Sequence, residues 1–181
     1  MEGEEERSEN EGSFSKASIP KRIAIVMAGA TVNILFGLIV YFILMSTSAT
    51  SPTNVMDKII YGGAETKEFV VSVLDNLKMM ATGGISVDQM MGPVGISEVV
   101  LKTNSFKEFV YMLAVISLSL GVTNLLPIPA LDGGKILLLI IEAIRRKPLK
   151  ESVEIKIQLL GFSILIALSL YITYNDILRI F

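Results

Sequence analysis

Three uncharged, apolar runs dominate the pattern of hydrophobic and polar positions along the chain. They cover Ile23–Leu44, Phe109–Leu131 and Ile157–Asn175, which are 22, 23 and 19 residues long. A helix needs about 20 apolar residues to cross the hydrocarbon layer of a bilayer. The pattern therefore predicts an integral membrane protein with three transmembrane helices, which we place at residues 23–45, 108–131 and 157–178.

An amphipathic pattern lies between the first two runs. Phe69, Val73, Leu77 and Met80 recur at helical spacing, and the charged residues fall mostly on other positions. This pattern predicts a helix that lies on the membrane surface or against the spans. Segment 46–107 is thus predicted to hold a linker, this helix and a "GPVGI" loop, where the glycines and the proline favour a tight turn. The predicted fold class is all-α.

Charge is distributed in blocks that predict an orientation. Residues 1–12 contain six glutamates, but segment 1–22 turns basic just before the first span. Segment 132–156, after the second span, holds the most basic connection in the chain. The positive-inside rule places both segments in the cytoplasm. We expect a multi-pass protein of the cytoplasmic membrane, with its N-terminus cytoplasmic, its 46–107 segment outside and its C-terminus extracytoplasmic. Nothing in this distribution indicates nucleic-acid binding.

Cysteine and histidine are both missing from the composition, and their absence limits the possible chemistry. The 181 residues include no cysteine and no histidine. Disulfides, thiol nucleophiles and thiolate metal ligands are therefore excluded for this chain. One acid in the basic connection, Glu142, is expected to pair with Arg145 or Arg146, three and four residues further along a helix.

The sequence "NLLPIPALDGGK", residues 124–135, breaks the second apolar run. Pro127 and Pro129 lack amide hydrogens and interrupt a helix. Such irregular backbone at membrane depth must be buried in protein or line a wet cavity. Asn124 precedes the break and Asp132 follows it, and an acid inside a span is by default a candidate functional residue. After the Gly133–Gly134 pair, a helix is expected to resume at about Lys135. The structural alternative is that Asp132 is only the N-cap of a helix that begins at Gly133.

A smaller signal is present in the first span, in the sequence "AGATVN". Gly29 and Asn33 are four residues apart and share one face of the predicted helix. Small residues at this spacing commonly allow two membrane helices to pack closely. Helix packing is therefore the structural alternative to a functional role here.

Together these segments resemble the site-2 protease family of intramembrane zinc metalloproteases, in the bacterial branch that performs regulated intramembrane proteolysis. "NLLPIPALDGGK" looks like the family's Asn-x-x-Pro-x-Pro-x-x-Asp-Gly motif, and "MMGPVGISEVV" is similar to its Gly-Pro-Val-Gly-Ile segment. "AGATVN" matches the Ala-Gly-Pro-x-x-Asn pattern, except that Ala30 replaces the proline.

The resemblance implies a role for each candidate residue. In the family the motif aspartate is the third zinc ligand, which corresponds to Asp132. Asn124 matches a position that helps to hold substrate, Pro127 and Pro129 would shape the break, and Asn33 would lie near the active site. The implied cofactor is zinc, and the implied partners are the lipid bilayer and a transmembrane-helix substrate.

The chain also departs from the family pattern. The other two zinc ligands and the general base belong to a His-Glu-x-x-His motif on an earlier span, and neither that motif nor a PDZ domain is found here. We therefore expect a zinc metalloendopeptidase family member that is present as an incomplete chain and inactive alone. A missing N-terminal segment or a second subunit would supply the motif. The alternatives are a non-catalytic scaffold that binds transmembrane helices and a small transporter, although the transporter lacks repeat symmetry.

Overall fold

The described part of the chain is helical throughout. The structure is a computed structural model that describes residues 13–48, 50–84 and 90–180, and within these ranges it contains no strand. A short 3-10 turn at Phe14–Lys16 precedes six helices, which are α1 (Ile19–Ser46), α2 (Val55–Ala81), α3 (Pro93–Leu101), α4 (Phe106–Asn124), α5 (Asp132–Arg145) and α6 (Glu151–Ile180). The predicted all-α class is confirmed.

Three of these helices are long and apolar enough to cross a membrane. They are α1, α4 and α6, in agreement with the three predicted spans. The second differs in extent, since α4 ends at Asn124 whereas the uncharged run continues to Leu131. Pro127 and Pro129 follow within five residues, and a proline cannot donate the amide hydrogen bond that would continue the helix.

Local sequence explains where several helices begin. The Asn54 side chain accepts a hydrogen bond from the backbone N–H of Met56 and caps α2. Ahead of α4, the Ser105 hydroxyl accepts from the N–H of Glu108, and the Glu108 carboxylate accepts from the N–H of Asn104. The N–H groups of Met56 and Glu108 lie in first turns and have no partner within their helices, and the bond from Asn104 fixes the chain just before α4.

The chain divides into two compact units, which are described separately. Unit 1 comprises residues 1–33 and 120–167, and unit 2 comprises residues 34–119 and 168–181. The buried apolar residues among the described part of unit 1 are Phe14, Val26, Ala30, Leu138 and Leu139. Gly29 is exposed, and a Cβ added there would meet no atom within 4 Å, so the close packing that the sequence suggested at this glycine is not found among the described residues.

Aromatic stacking and close helix contacts hold unit 2 together. The ring of Tyr41 on α1 stacks on Phe69 of α2, with centroids 4.2 Å apart, and also meets Tyr111 of α4 at 5.9 Å. A Cβ on Gly37 would lie 2.9 Å from the carbonyl oxygen of Ala114. The backbones of α1 and α4 can therefore approach closely at this glycine, as small residues allow in membrane helices.

The "GPVGI" segment is the clearest difference from the sequence prediction. It was expected to be a loop, but it begins α3 with Gly92 at the N-cap and Pro93 as the first residue. Proline suits this position because its fixed φ matches a helix and its missing N–H would be unpaired there. The buried carboxylate of Asp176 on α6 accepts from the N–H groups of Gly92 (2.9 Å) and Gly95 (2.8 Å). The two glycines are needed for this contact, since a Cβ on either would lie within 3 Å of that carboxylate.

Candidate functional site

The backbone between α4 and α5 leaves the helical path and turns sharply. After Asn124, the N–H of Ile128 donates to the carbonyl of Leu126 (2.7 Å), and the N–H of Leu131 donates to the carbonyl of Ile128 (3.1 Å). Between these turns Ala130 has a φ of 74°. A residue with a Cβ is disfavoured in this left-handed region by about 1–2 kcal/mol. The neighbouring structure must therefore hold the break in place.

The glycine pair of the motif provides part of that support from α5. A Cβ on Gly133 would lie 2.3 Å from the carbonyl oxygens of Leu125 and Leu126, and one on Gly134 would lie 2.2 Å from the carbonyl oxygen of Ile128. Both glycines are buried. The first turn of α5 thus packs directly on the broken backbone, at distances that exclude any side chain.

Helix α6 supplies the other support, which the sequence analysis missed. The N–H of Ala130 donates to the side-chain oxygen Oε1 of Gln158 at 2.9 Å. One turn further on, a Cβ on Gly161 would lie 2.4 Å from both the Cβ and the carbonyl oxygen of Pro129. The sequence did carry a signal for this contact: in an otherwise apolar span, a glutamine is followed three residues later by a glycine. Residues three apart share a helix face, so Gln158 and Gly161 both contact the break from the same side of α6.

Asp132 is placed by these contacts at the start of α5. Leu131 occupies the N-cap position and Asp132 is the first helical residue, so the helix begins earlier than the Lys135 expected from sequence. Asp132 is half-buried, and a carboxylate in the first turn interacts favourably with the helix dipole. The structure therefore presents this acid at the junction between the broken backbone and a helix N-terminus.

The remaining predicted site residues lie in unit 1 with Asp132. Asn124 ends α4 and is half-buried, whereas Pro127 and Pro129 are exposed in the break. Asn33 is half-buried on α1 and belongs to the same unit. The break itself brings Asn124, the prolines and Asp132 into one short segment.

An aromatic ring held between two cations supports α5 next to this segment. Phe14, from the 3-10 turn, is only 2% exposed. The Arg22 guanidinium lies 4.9 Å from the ring centroid, and the Lys135 ammonium lies 5.0 Å from it. A cation over an aromatic face contributes about 0.5–2 kcal/mol, and more when water is excluded. Lys135 is three residues after Asp132, so this contact fixes the turn of α5 that carries the acid.

Glu142 forms an ion pair that differs from the predicted one. Its Oε2 accepts from the Arg22 guanidinium at 3.0 Å, and its Oε1 accepts from the N–H of Leu149 at 2.7 Å. The carboxylate is buried, whereas Arg145 and Arg146 are exposed and Arg146 leaves the helix in a left-handed conformation. Glu142 therefore links α5 to α1 and to the α5–α6 connection, because it faces the protein interior and the predicted arginines do not.

The described side chains do not form a complete ligand set for the zinc that the resemblance implies. Among the described residues there is no group of three or more His, Cys, Asp or Glu side chains that could hold a metal ion. Catalytic zinc takes three protein ligands and keeps a fourth position for water or substrate. Asp132 is a suitable oxygen donor, but the described side chains alone do not fit a catalytic zinc.

Comparison with known proteins then identifies the family. The sequence model of Peptidase family M50 matches residues 1–168, which is nearly the whole chain. The chain belongs to peptidase family M50. The matched residues include the break, Asp132, Gly133, Gly134 and Gln158.

Three similar proteins are all named as proteases. "Zinc metalloprotease RasP" of Bacillus licheniformis is 43% identical over 132 residues, which cover 71% of this chain and 31% of the relative. "Regulator of sigma-W protease RasP" of Bacillus subtilis is 40% identical over 136 residues, covering 74% and 32%. A putative zinc metalloprotease of Streptococcus pyogenes is 39% identical over 139 residues, covering 76% and 33%.

The matched region is a limited part of these M50 proteins. It spans about a third of the length of each of the three relatives. Its three candidate spans and the bacterial origin of the relatives support a place in the cytoplasmic membrane.

Proposed function

We propose that these residues form the aspartate-bearing part of a membrane-embedded M50 zinc metalloendopeptidase of the site-2 protease type. In this proposal Asp132 contributes one zinc ligand, and Asn124, Pro127, Pro129 and Asn33 contact a transmembrane-helix substrate. The basic α5–α6 connection faces the cytoplasm, so the N-terminus is cytoplasmic and the C-terminus extracytoplasmic.

The observation that carries the proposal is the way in which the fold holds the break before Asp132. Gly133 and Gly134 leave room for the backbone carbonyls of the break. Gln158 accepts a hydrogen bond from the N–H of Ala130, which has a left-handed φ. Strained backbone persists when the surrounding structure over-determines it, and it is concentrated at functional sites. A site that must hold a metal ligand in fixed geometry needs such support.

In this proposal the chain's own residues bind, orient and shield the substrate. The catalytic chemistry comes from the metal and from groups outside this chain. With zinc bound, the metal would supply polarisation of the scissile carbonyl and activation of water. The two imidazole ligands and the general base must come from outside these 181 residues, since the sequence has no histidine. A missing N-terminal segment or a second subunit is the proposed source, and this chain alone is proposed to be inactive.

Complementation tests this assignment directly. The chain is co-expressed with a membrane segment that carries the His-Glu-x-x-His motif of an M50 relative, and cleavage of a transmembrane model substrate is measured with and without chelator. We expect chelator-sensitive cleavage by the pair, none by either part, and its loss in Asp132→Asn. Asp75→Asn, a change to an exposed acid of unit 2, is the control and should retain cleavage. Cleavage by the chain alone would contradict the proposal, as would full activity of the Asp132→Asn pair.

A further inference from the structure

A cluster of exposed cations lies at the connection between α5 and α6. Arg145, Arg146, Lys147 and Lys150 are all exposed, and none of them has an ion-pair partner within the described ranges. We define these four residues as the basic connection surface. Glu142 lies three and four residues before the two arginines at the end of the same helix, so the lack of pairing with them needs a structural explanation.

The explanation is that the nearest acid is withdrawn into the protein. Glu142 is 4% exposed and directs one oxygen at Arg22 and the other at the N–H of Leu149. Its charge is thus used to fix the connection against α1, and it is not available to the arginines on its own helix. The bond to Leu149 also gives the connection a fixed conformation directly before Lys150.

The position of this surface determines which anion can reach it. The connection joins α5 to the first residue of α6, a candidate span, and Glu142 fastens it beside Arg22 near the start of α1, another candidate span. These cations therefore lie where two spans meet the membrane border. The anionic groups that are concentrated there are phospholipid headgroups, and each nearby Lys or Arg strengthens binding to them by about fivefold.

We propose that the basic connection surface is a binding site for anionic phospholipid headgroups. Arginine guanidinium groups bind phosphate through paired N–H donors, and lysine acts as a point charge. The hydrogen bond between Glu142 and Leu149 fixes the backbone that carries these side chains, so less backbone has to become ordered when the lipid binds. The proposal concerns this chain by itself and does not depend on the assignment of Asp132.

The test compares lipid affinities of purified full-length chain in a neutral detergent. Binding of short-chain phosphatidylglycerol and phosphatidylcholine is measured by native mass spectrometry for the wild type and for Arg145→Gln/Arg146→Gln/Lys147→Gln/Lys150→Gln. The control variant is Lys67→Gln/Lys78→Gln/Lys102→Gln/Lys107→Gln, which removes the same charge from exposed positions of unit 2. Circular dichroism verifies that both variants keep their helices, which we expect because all eight side chains are exposed.

We expect the wild type to prefer phosphatidylglycerol and the connection variant to lose roughly 20-fold or more of that affinity. The control variant should keep the preference, and raising the salt concentration should weaken it because exposed charges are screened. Equal affinity for the two lipids, or equal losses in both variants, would overturn the proposal. If glycerol phosphate bound as tightly as the lipid, a soluble phosphate site would replace the membrane assignment.

Discussion

Asp132 lies at the N-terminus of its own helix, α5, and Asp176 of α6 lies against the N-terminus of α3. Each aspartate is next to two glycines, but different groups fill the space that the glycines leave. At α5 the space left by Gly133 and Gly134 is filled by backbone carbonyls of the break. At α3 the space left by Gly92 and Gly95 is filled by the Asp176 carboxylate itself. Asp176 is 2% exposed and accepts from two amides, whereas Asp132 is half-buried and begins its own helix.

This difference separates a structural acid from a candidate functional one. A buried carboxylate that accepts several amide hydrogen bonds stabilises the contact between the elements that it joins. For Asp132, at the edge of the supported backbone break, we propose a role as a metal ligand. Burial and the identity of the atoms in the glycine spaces distinguish the two cases, while the residue types alone do not.

Replacing a glycine that packs on the break by alanine should have the largest effect on stability. In Gly134→Ala the new Cβ would meet the carbonyl oxygen of Ile128 at 2.2 Å, and backbone on both sides must shift. We expect a loss of about 3 kcal/mol, at the upper end for overpacking. Thermal unfolding in detergent measures it.

The matched control for this change is Gly63→Ala, in the middle of α2, where a Cβ meets no atom within 4 Å. It should gain about 0.5–1 kcal/mol from the better helix propensity of alanine. A Gly134→Ala protein as stable as Gly63→Ala would show that the break does not pack on α5.

Removing the buried acid of unit 2 should have the next largest effect. Asp176→Ala leaves the N–H groups of Gly92 and Gly95 without their acceptor, and we expect a loss of about 2–3 kcal/mol. Amide hydrogen exchange should accelerate at those two glycines. Asp75→Ala, which removes an exposed acid, serves as the control and should change stability by less than about 0.5 kcal/mol. Unchanged exchange at both glycines would refute the role given to Asp176.

Removing the hydrogen bond from Gln158 of α6 should have a moderate effect on stability that is local to the break. Gln158→Leu keeps the approximate volume but leaves the N–H of strained Ala130 without its acceptor, which costs about 1–2 kcal/mol. Gln158→Glu retains an acceptor oxygen and should restore most of the protection of the Ala130 amide against exchange. Equal exchange rates of the Ala130 amide in wild type and Gln158→Leu would show that Gln158 does not support the break.

Loss of one aromatic contact in unit 2 should have the smallest effect. Tyr41→Leu removes the stacking on Phe69 at 4.2 Å but keeps an apolar side chain, so we expect a loss of about 1 kcal/mol. Tyr41→Phe keeps the ring and is the control. A melting temperature that falls equally in both variants would assign the effect to the hydroxyl and not to stacking.

The sequence predicted features that depend on local composition. Uncharged runs gave the three spans, because membrane insertion is governed by the apolarity of about 20 consecutive residues. Pro127 and Pro129 gave the break, because proline acts on its own backbone. The start of α5 at Asp132 was placed three residues late, since glycine at the next two positions reads as a loop until its packing is known.

Contacts between distant residues could not be predicted in this way. Arg22 and Glu142 are 120 residues apart, and Gly92 and Asp176 are 84 apart. Each has nearby residues of plausible charge or polarity, so no single sequence pattern selects the true partner. Gln158 was missed for the same reason, because its importance derives from the position of Ala130 on another element.

Zinc content is the most direct measure of the central claim that Asp132 is a metal ligand completed from outside this chain. The complex of this chain with the His-Glu-x-x-His segment is purified, and bound zinc is counted by mass spectrometry after dialysis. The account predicts about one zinc per wild-type complex, at least about tenfold weaker zinc binding in Asp132→Asn, and no stoichiometric zinc on the chain alone. Zinc retained at full affinity by the Asp132→Asn complex would contradict it.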